Sequence, residues 1–230
     1  MIKANNIFKT YNDKVVLKNV NFTCEKGKIY ALVGSNGTGK TTLMNIITGS
    51  IQCDLGDVFI NDINTKEHKS RYNLFFVPDD KEMFTSLTGL EYISFILNIY
   101  NIKIEMIESK LQALLSAFKM NDDINKLISN YSLGMKQKIY VIAALLSGAN
   151  NIMLDEPFNC LDPEMSRVLK DQISIAIKEG KTVLYSTHNL DTVSRFCDEV
   201  IILGKNHEVY PVTNMENADK LEKLFFEICV

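Results

Sequence analysis

The chain has 230 residues, 46% of them hydrophobic and 23% charged, with a formal net charge of −3. This is the make-up of a globular chain, most simply one domain with a substantial core, and it argues against a nucleic-acid binder driven by bulk positive charge. No apolar stretch reaches the ~18 residues of a membrane span, and Met1-Ile2-Lys3-Ala4-Asn5 lacks the apolar core of a signal peptide.

In chain order, Val15-Val16-Leu17 and Val20-Asn21-Phe22-Thr23-Cys24 read as short strands, with Asn12-Asp13 and Lys26-Gly27 as turns. Tyr11 stands before the first clear strand. It is either an ordinary core or surface tyrosine or a flat face on which a base could stack. The apolar run Ile29-Tyr30-Ala31-Leu32-Val33 is followed by Gly34-Ser35-Asn36-Gly37-Thr38-Gly39-Lys40-Thr41-Thr42. A helical run follows from Thr41 to Thr48, with Gly49 as its stop. Gly56 to Asn61 reads as a strand, Asn61-Asp62 as a turn, and Leu74-Phe75-Phe76-Val77 as a buried strand closed by Pro78.

From about Asp79 to Leu146 the pattern becomes helical. Thr88 and Glu91 have capping-box spacing ahead of the apolar run Tyr92 to Tyr100. Leu111, Leu114, Leu115 and Phe118 repeat at helical spacing, as do Ile139, Ile142, Ala143 and Leu146. Strands then resume at Asn151-Ile152-Met153-Leu154, Thr182 to Ser186 and Val200 to Leu203. Between them Asp162 caps a helix with Pro163 at its first position and Gly180 at its end. Leu221, Leu224, Phe225 and Ile228 predict a short amphipathic C-terminal helix.

The stretch Gly34–Thr42 matches G-x-x-x-x-G-K-[ST] in full, in the strand–loop–helix order that gives the pattern its meaning. Glycines let the backbone bring its N–H groups around phosphate oxygens, and the helix N-terminus adds partial positive charge there. Lys40 is then expected on the β- and γ-phosphates of a nucleoside triphosphate and the Thr41 hydroxyl on Mg²⁺. The strand Ile152-Met153-Leu154 delivers Asp155, a second Mg²⁺ candidate, and Glu156, which can take a proton from water attacking the γ-phosphate. Ser132 and Gly134 open a helix, where a hydroxyl and free N–H groups could meet an anion; an ordinary capped helix explains them equally on local grounds. His188 follows a buried strand. A lone histidine is usually structural, but this one sits where an α/β sheet faces its ligand crevice.

The five cysteines (Cys24, Cys53, Cys160, Cys197, Cys229) form no C-x-x-C pair, and the three histidines (His68, His188, His207) fall at no metal-ligand spacing. Reduced thiols and no zinc site are expected, in a cytosolic setting.

Taken together, these motifs make the chain resemble, over nearly its whole length and in the right order, the nucleotide-binding subunit of an ATP-binding cassette (ABC) transporter. In that family Gly34–Thr42 corresponds to the Walker A loop, Ile152–Glu156 to Walker B with the catalytic glutamate, and Ser132–Gln137 to the signature motif. Asn159-Cys160-Leu161-Asp162 falls at the D-loop, His188 at the switch histidine and Tyr11 at the adenine-stacking aromatic. The resemblance implies an α/β fold: a P-loop NTPase core with a mainly parallel sheet, an N-terminal antiparallel β subdomain and an inserted α-helical subdomain. It implies one domain over 1–230, with the core and β subdomain at about 1–78 and 147–230 and the helical subdomain at about 79–146.

The implied function is ATP hydrolysis with Mg²⁺, in a head-to-tail pair of ATPase subunits that drives a separate transmembrane permease. Each ATP would lie between the phosphate loop of one subunit and the signature motif of the other. The chain would be cytoplasmic and held at the inner face of the membrane by the permease, with no nucleic-acid partner. Two departures stand out. The usual L-S-G-G-Q reads Tyr131-Ser132-Leu133-Gly134-Met135, a form similar to the multidrug- and antibiotic-export-like branch. The usual glutamine after the strand Leu74–Val77 is Asp79, a shorter anionic group that could still reach Mg²⁺ or the attacking water. The alternatives are a non-transport ABC ATPase, for example of the iron–sulfur assembly type, and a regulatory ATP-binding subunit. Intact Lys40, Asp155, Glu156 and His188 weigh against the latter.

Overall fold

The structure is a computed structural model and describes residues 1–193, 196–213 and 218–229. The chain opens with a long antiparallel hairpin, β1 (Ile2–Tyr11) and β2 (Lys14–Cys24). Its two-residue turn, Asn12 and Asp13, has left-handed φ of 46° and 63°, the geometry that matches the twist of the flanking strands. Two expectations change here. Tyr11 is the last residue of a ten-residue strand rather than a residue ahead of the first one. The runs 15–17 and 20–24 are one strand, irregular in register around Asn19, whose φ is 47°.

The buried strand β3 (Ile29–Val33) leads into the glycine loop and α1 (Lys40–Ile47), which ends at Gly49 with φ 72°. Next come β4 (Leu55–Ile60), the short β5 (Ile63–Asn64) and β6 (Leu74–Val77). Helices α2 (Gly89–Ile99), α3 (Glu108–Ala117) and α4 (Leu133–Leu146) come after them without an intervening strand. The capping box forms as expected: Glu91 N–H donates to Thr88 Oγ1 at 3.2 Å and Thr88 N–H to the Glu91 carboxylate at 2.8 Å. Ser132 caps α4 and Asp162 caps the helix that follows it by the same means, each accepting from the backbone N–H three residues on.

The chain then runs through β7 (Asn151–Leu154), α5 (Pro163–Lys178), β8 (Thr182–Thr187), α6 (Leu190–Val193), β9 (Glu199–Leu203), β10 (Val209–Val212) and α7 (Ala218–Cys229). Strands β5 and β10 and helix α6 carry no sequence pattern strong enough to predict them.

Two sheets result, one of order β2-β1-β4-β5 and antiparallel, the other of order β10-β9-β3-β8-β7-β6. In the second sheet the five strands from β9 to β6 are parallel and only β10 runs against its neighbour. The inner strands are apolar throughout because both faces are covered. Ala31, Val33, Ile152, Leu154, Val183 and Tyr185 point into a core with the helices of 89–146. Their alternates Tyr30, Leu32, Met153 and Leu184 pack with Leu43, Met44, Ile47 and the N-terminal sheet. Period-two alternation thus divides one sheet between two cores. The order has a direct consequence. The C-terminal ends of β3, β8, β7 and β6 lie side by side, so the segments leaving these strands meet in one crevice.

Candidate functional site

Those four strand ends deliver the glycine loop, His188, Asp155-Glu156 and Asp79. A cavity of about 420 Å³ forms there between Val16, Asn36, Gly37, Gly39, Lys40, Thr41, Thr42, Asp79, Asp155 and Glu156, with His188 reaching Glu156 from the side.

The loop conformation depends on glycine at two positions in particular. Gly39 has φ 111°, and a Cβ there would meet Val16 within 3.1 Å. At Gly34 a Cβ would lie 2.8 Å from the Leu203 carbonyl and from Thr38 Oγ1. Thr38 itself is buried and donates its hydroxyl to Ser35 O at 2.9 Å. Ser35 turns the other way, its Oγ 3.3 Å from the Cys229 carbonyl at the end of α7.

Lys40 is buried and donates to Gly34 O at 2.7 Å and Ser35 O at 3.2 Å, closing over its own loop. Burial lowers its pKa, opposed by the nearby Glu156 and Asp155 carboxylates. The ammonium is therefore desolvated and held by carbonyls that an incoming anion can replace.

Asp155 is 2% exposed and fully engaged. Thr41 Oγ1 donates to its Oδ2 at 3.1 Å, Ser186 Oγ to its Oδ1, and its own N–H donates to Val77 O at 2.9 Å. A hydroxyl and a carboxylate converging at one wall of the cavity are hard oxygen donors, the kind Mg²⁺ takes. Glu156 has φ 46°, a left-handed conformation that costs a non-glycine residue about 1–3 kcal/mol. Its N–H is fixed by Ser186 Oγ at 2.9 Å, and its Oε1 lies 3.0 Å from Nδ1 of the exposed His188.

The structure thus brings together Asn36, Gly37, Gly39, Lys40, Thr41, Thr42, Asp79, Asp155, Glu156 and His188, with Gly34, Ser35 and Thr38 completing the loop behind them. Tyr11 lies outside the lining, 44% exposed at the tip of the first hairpin, with Lys9 Nζ 5.2 Å from its ring centre. Ser132 and Gly134 also lie outside it, at the head of α4. There Gly134 packs so close to the Cys160 carbonyl that a Cβ would approach it to 2.7 Å.

Sequence reasoning passed over one contributor to the site and one unusual burial beyond it. Ser186 was visible only as a neighbour of His188, yet its one hydroxyl holds both the Asp155 carboxylate and the Glu156 backbone. Lys81, two residues beyond Asp79, is only 5% exposed, which no local pattern announces.

The chain is similar to known proteins over most of its length. The family model described as "ABC transporter" matches residues 17–159. The ABC-type transporter ATP-binding protein EcsA of Bacillus subtilis (strain 168) is 35% identical over 195 residues, covering 84% of this chain and 79% of the relative. A solved ATP-binding subunit of an ABC transporter superposes with a TM-score of 0.92 at 27% identity, over 99% of this chain and 98% of the other. A dimeric ATP-binding cassette solved in a post-hydrolysis state with ADP and Pi superposes with a TM-score of 0.82 at 25% identity, over 93% and 98%.

Proposed function

The chain belongs to the ABC transporter family, and from that premise we propose that it powers export of a substrate through a separate membrane permease, as one of two ATPase subunits that share their nucleotides. It is an ATP-binding subunit of an ABC transporter, and the reaction is hydrolysis of ATP to ADP and phosphate.

The observation that carries the reading is a separation. Lys40, Thr41, Asp155, Glu156 and His188 converge on one cavity, while Ser132 and Gly134 stand apart from it on α4. A capped helix head with an exposed hydroxyl suits an anion, and a second copy or a paralogue would bring it one. In this reading the chain is one cassette domain, with about 79–146 as the helical subdomain that carries the signature.

Within the site, Lys40 leaves the carbonyls of Gly34 and Ser35 to hold the β- and γ-phosphates, and the loop backbone at 34–39 cradles them. Tyr11 stacks on the adenine. Thr41 and Asp155 would hold Mg²⁺, with Asp79 available in the same lining. Mg²⁺, when bound, neutralises phosphate charge and orients the phosphate oxygens. Glu156 takes the proton of the attacking water; its backbone is set by Ser186 and its carboxylate by His188.

Support for a membrane partner is twofold. Among the described residues no helix is long and apolar enough to cross a membrane. The helical region also exposes Met83, Phe84, Leu90, Phe95 and Leu127, an apolar group unusual for a free surface. Phe84 takes φ 57° and packs its ring at a tilt against Phe95 at 5.6 Å and Tyr92 at 5.1 Å, so its position is enforced at the expense of backbone comfort. The export direction rests on the S-x-G-M-K-Q form of the signature. Co-expression with candidate multi-span proteins tests the proposal: co-purification of this chain with membranes supports it, and a chain that stays free of membranes with every candidate overturns it.

A further inference from the structure

Glu156 sits at φ 46°, in a region that a glutamate leaves unless its surroundings fix it. The Ser186 hydroxyl fixes the N–H side of the residue at 2.9 Å. On the other side the chain passes through Pro157, whose ring leaves φ little freedom, to Phe158. Two turns follow: Asn159 N–H donates to Glu156 O at 3.3 Å and Leu161 N–H to Phe158 O at 3.2 Å. Glu156 and Phe158 are therefore joined by a stiff link, and whatever fixes the Phe158 ring also bears on the glutamate.

That ring is fixed from three sides. It meets Tyr185 of β8 edge-on with ring centres 5.7 Å apart, and Phe196 edge-on at 6.2 Å. Tyr185 and Phe196 close the triangle at 6.0 Å. All three separations fall in the range where aromatic pairs attract. Lys170 of α5 caps the group, its Nζ 5.5 Å from the ring centres of both Phe158 and Phe196, close enough for a cation–π contact with each. Tyr185 is fully buried, so the triangle stands on the core. Tyr185 and Ser186 are consecutive on β8 and belong to opposite faces of the sheet. One grips the chain two residues after Glu156, and the other grips the Glu156 N–H. The nucleotide cavity is lined by none of Phe158, Lys170, Tyr185 and Phe196.

We propose that Phe158 is a positioning residue for hydrolysis: the aromatic triangle under Lys170 holds Glu156 where its carboxylate can take the proton of the attacking water. The inference rests on the ATP-site reading above. It adds a side chain that acts on the reaction only through Glu156.

The test is phosphate release by the full chain, at a temperature below the unfolding of every variant as followed by circular dichroism. Phe158→Ala should lower kcat about tenfold or more, the scale of a displaced reacting group. KM for MgATP should stay within about twofold, because the ring makes no contact with the cavity. Phe158→Tyr keeps the ring and should stay near the wild type. The decisive comparison is made in single-turnover reactions of Glu156→Gln. Adding Phe158→Ala to that variant should lower its residual rate by no more than about twofold, because the group being positioned is already gone. A ring that merely supports the fold would cost both backgrounds the same factor, so equal losses overturn the proposal. It is also overturned by wild-type kcat in Phe158→Ala, or by a loss confined to KM. Phe158→Leu carries the same comparison if Ala does not fold. A wild-type chain that does not hydrolyse MgATP would overturn the parent reading and this one with it, an outcome distinct from the others.

Discussion

Ser186→Ala removes one oxygen and should register in both stability and turnover. The hydroxyl is fully buried, donates to Asp155 Oδ1 and accepts the Glu156 N–H at 2.9 Å. Losing a hydrogen bond to a buried carboxylate costs about 1.5–3 kcal/mol, and leaving the Glu156 N–H without a partner costs about 1 kcal/mol more. A total of about 3 kcal/mol in a chain of this size lowers Tm by about 6–12 °C. Glu156 also loses the tether that holds it at φ 46°, so ATP turnover should fall by about 10–100-fold, the usual penalty for removing a group that orients a ligand of the site. Thermal unfolding by circular dichroism and phosphate release at saturating MgATP measure the two effects. Ser174→Ala is the control: its hydroxyl bonds only the Lys170 carbonyl within α5, and the change should stay within about 0.5 kcal/mol. A Ser186→Ala protein with wild-type Tm and wild-type turnover would refute the reasoning, because it would mean that neither bond contributes.

Glu156→Gln should cut turnover by about 10²–10⁴ while retaining ATP; light scattering should then find a nucleotide-dependent dimer, and wild-type turnover in this variant would remove Glu156 from its role. Gly134→Ala forces a Cβ to 2.7 Å from the Cys160 carbonyl, so it should destabilise by about 1–3 kcal/mol in denaturant titration despite the higher helix propensity of alanine. Tyr11→Ala should leave stability within about 0.5 kcal/mol because the ring is half exposed, yet raise KM for ATP severalfold; an unchanged KM would detach Tyr11 from the base. Asp54 is held by Lys9, then by the Thr10 N–H and hydroxyl, which pull its carboxyl down to about 2. A depressed acid stabilises the fold fully above its ordinary value of 3.8 and loses that contribution as the pH falls towards 2. Asp54→Asn should therefore flatten the acid limb of the stability profile in that window, and an identical limb would count against the tether.

The glycine loop, the buried strand before it and the Asp155-Glu156 pair were legible because each is local: the chemistry and its scaffold lie within a few residues. The caps at Thr88, Ser132 and Asp162 were legible for the same reason, since a hydroxyl or carboxylate finds an N–H only three residues on. Strand β1 was not, because Asn5, Asn6, Lys9 and Thr10 break its alternation, and its pairing partners lie elsewhere in the chain. Strand β10 was hidden by its edge position and by Pro211. The double duty of Ser186 depends on β7 and β8 lying side by side, and the burial of Lys81 depends on α4 holding its loop from a distance. Both are facts of topology, which a linear pattern does not record.

The strand order also sets a timetable for synthesis. Strand β3, with the whole glycine loop at its end, finds its neighbours only in β8 and β9, and β8 is also what joins it to β7. A nascent chain that has reached Leu154 already carries every residue of the phosphate loop and strand β7, yet these belong to two fragments of sheet with no shared edge. The exposed flanks of β3 must wait, unpaired and apolar, for a segment made some 150 residues later, which is when such edges are most open to misassociation. A product truncated before Thr182 would therefore hold the phosphate loop and Asp155-Glu156 without the shape of the site, and would offer a chaperone a strand to shield rather than a nucleotide pocket to fill.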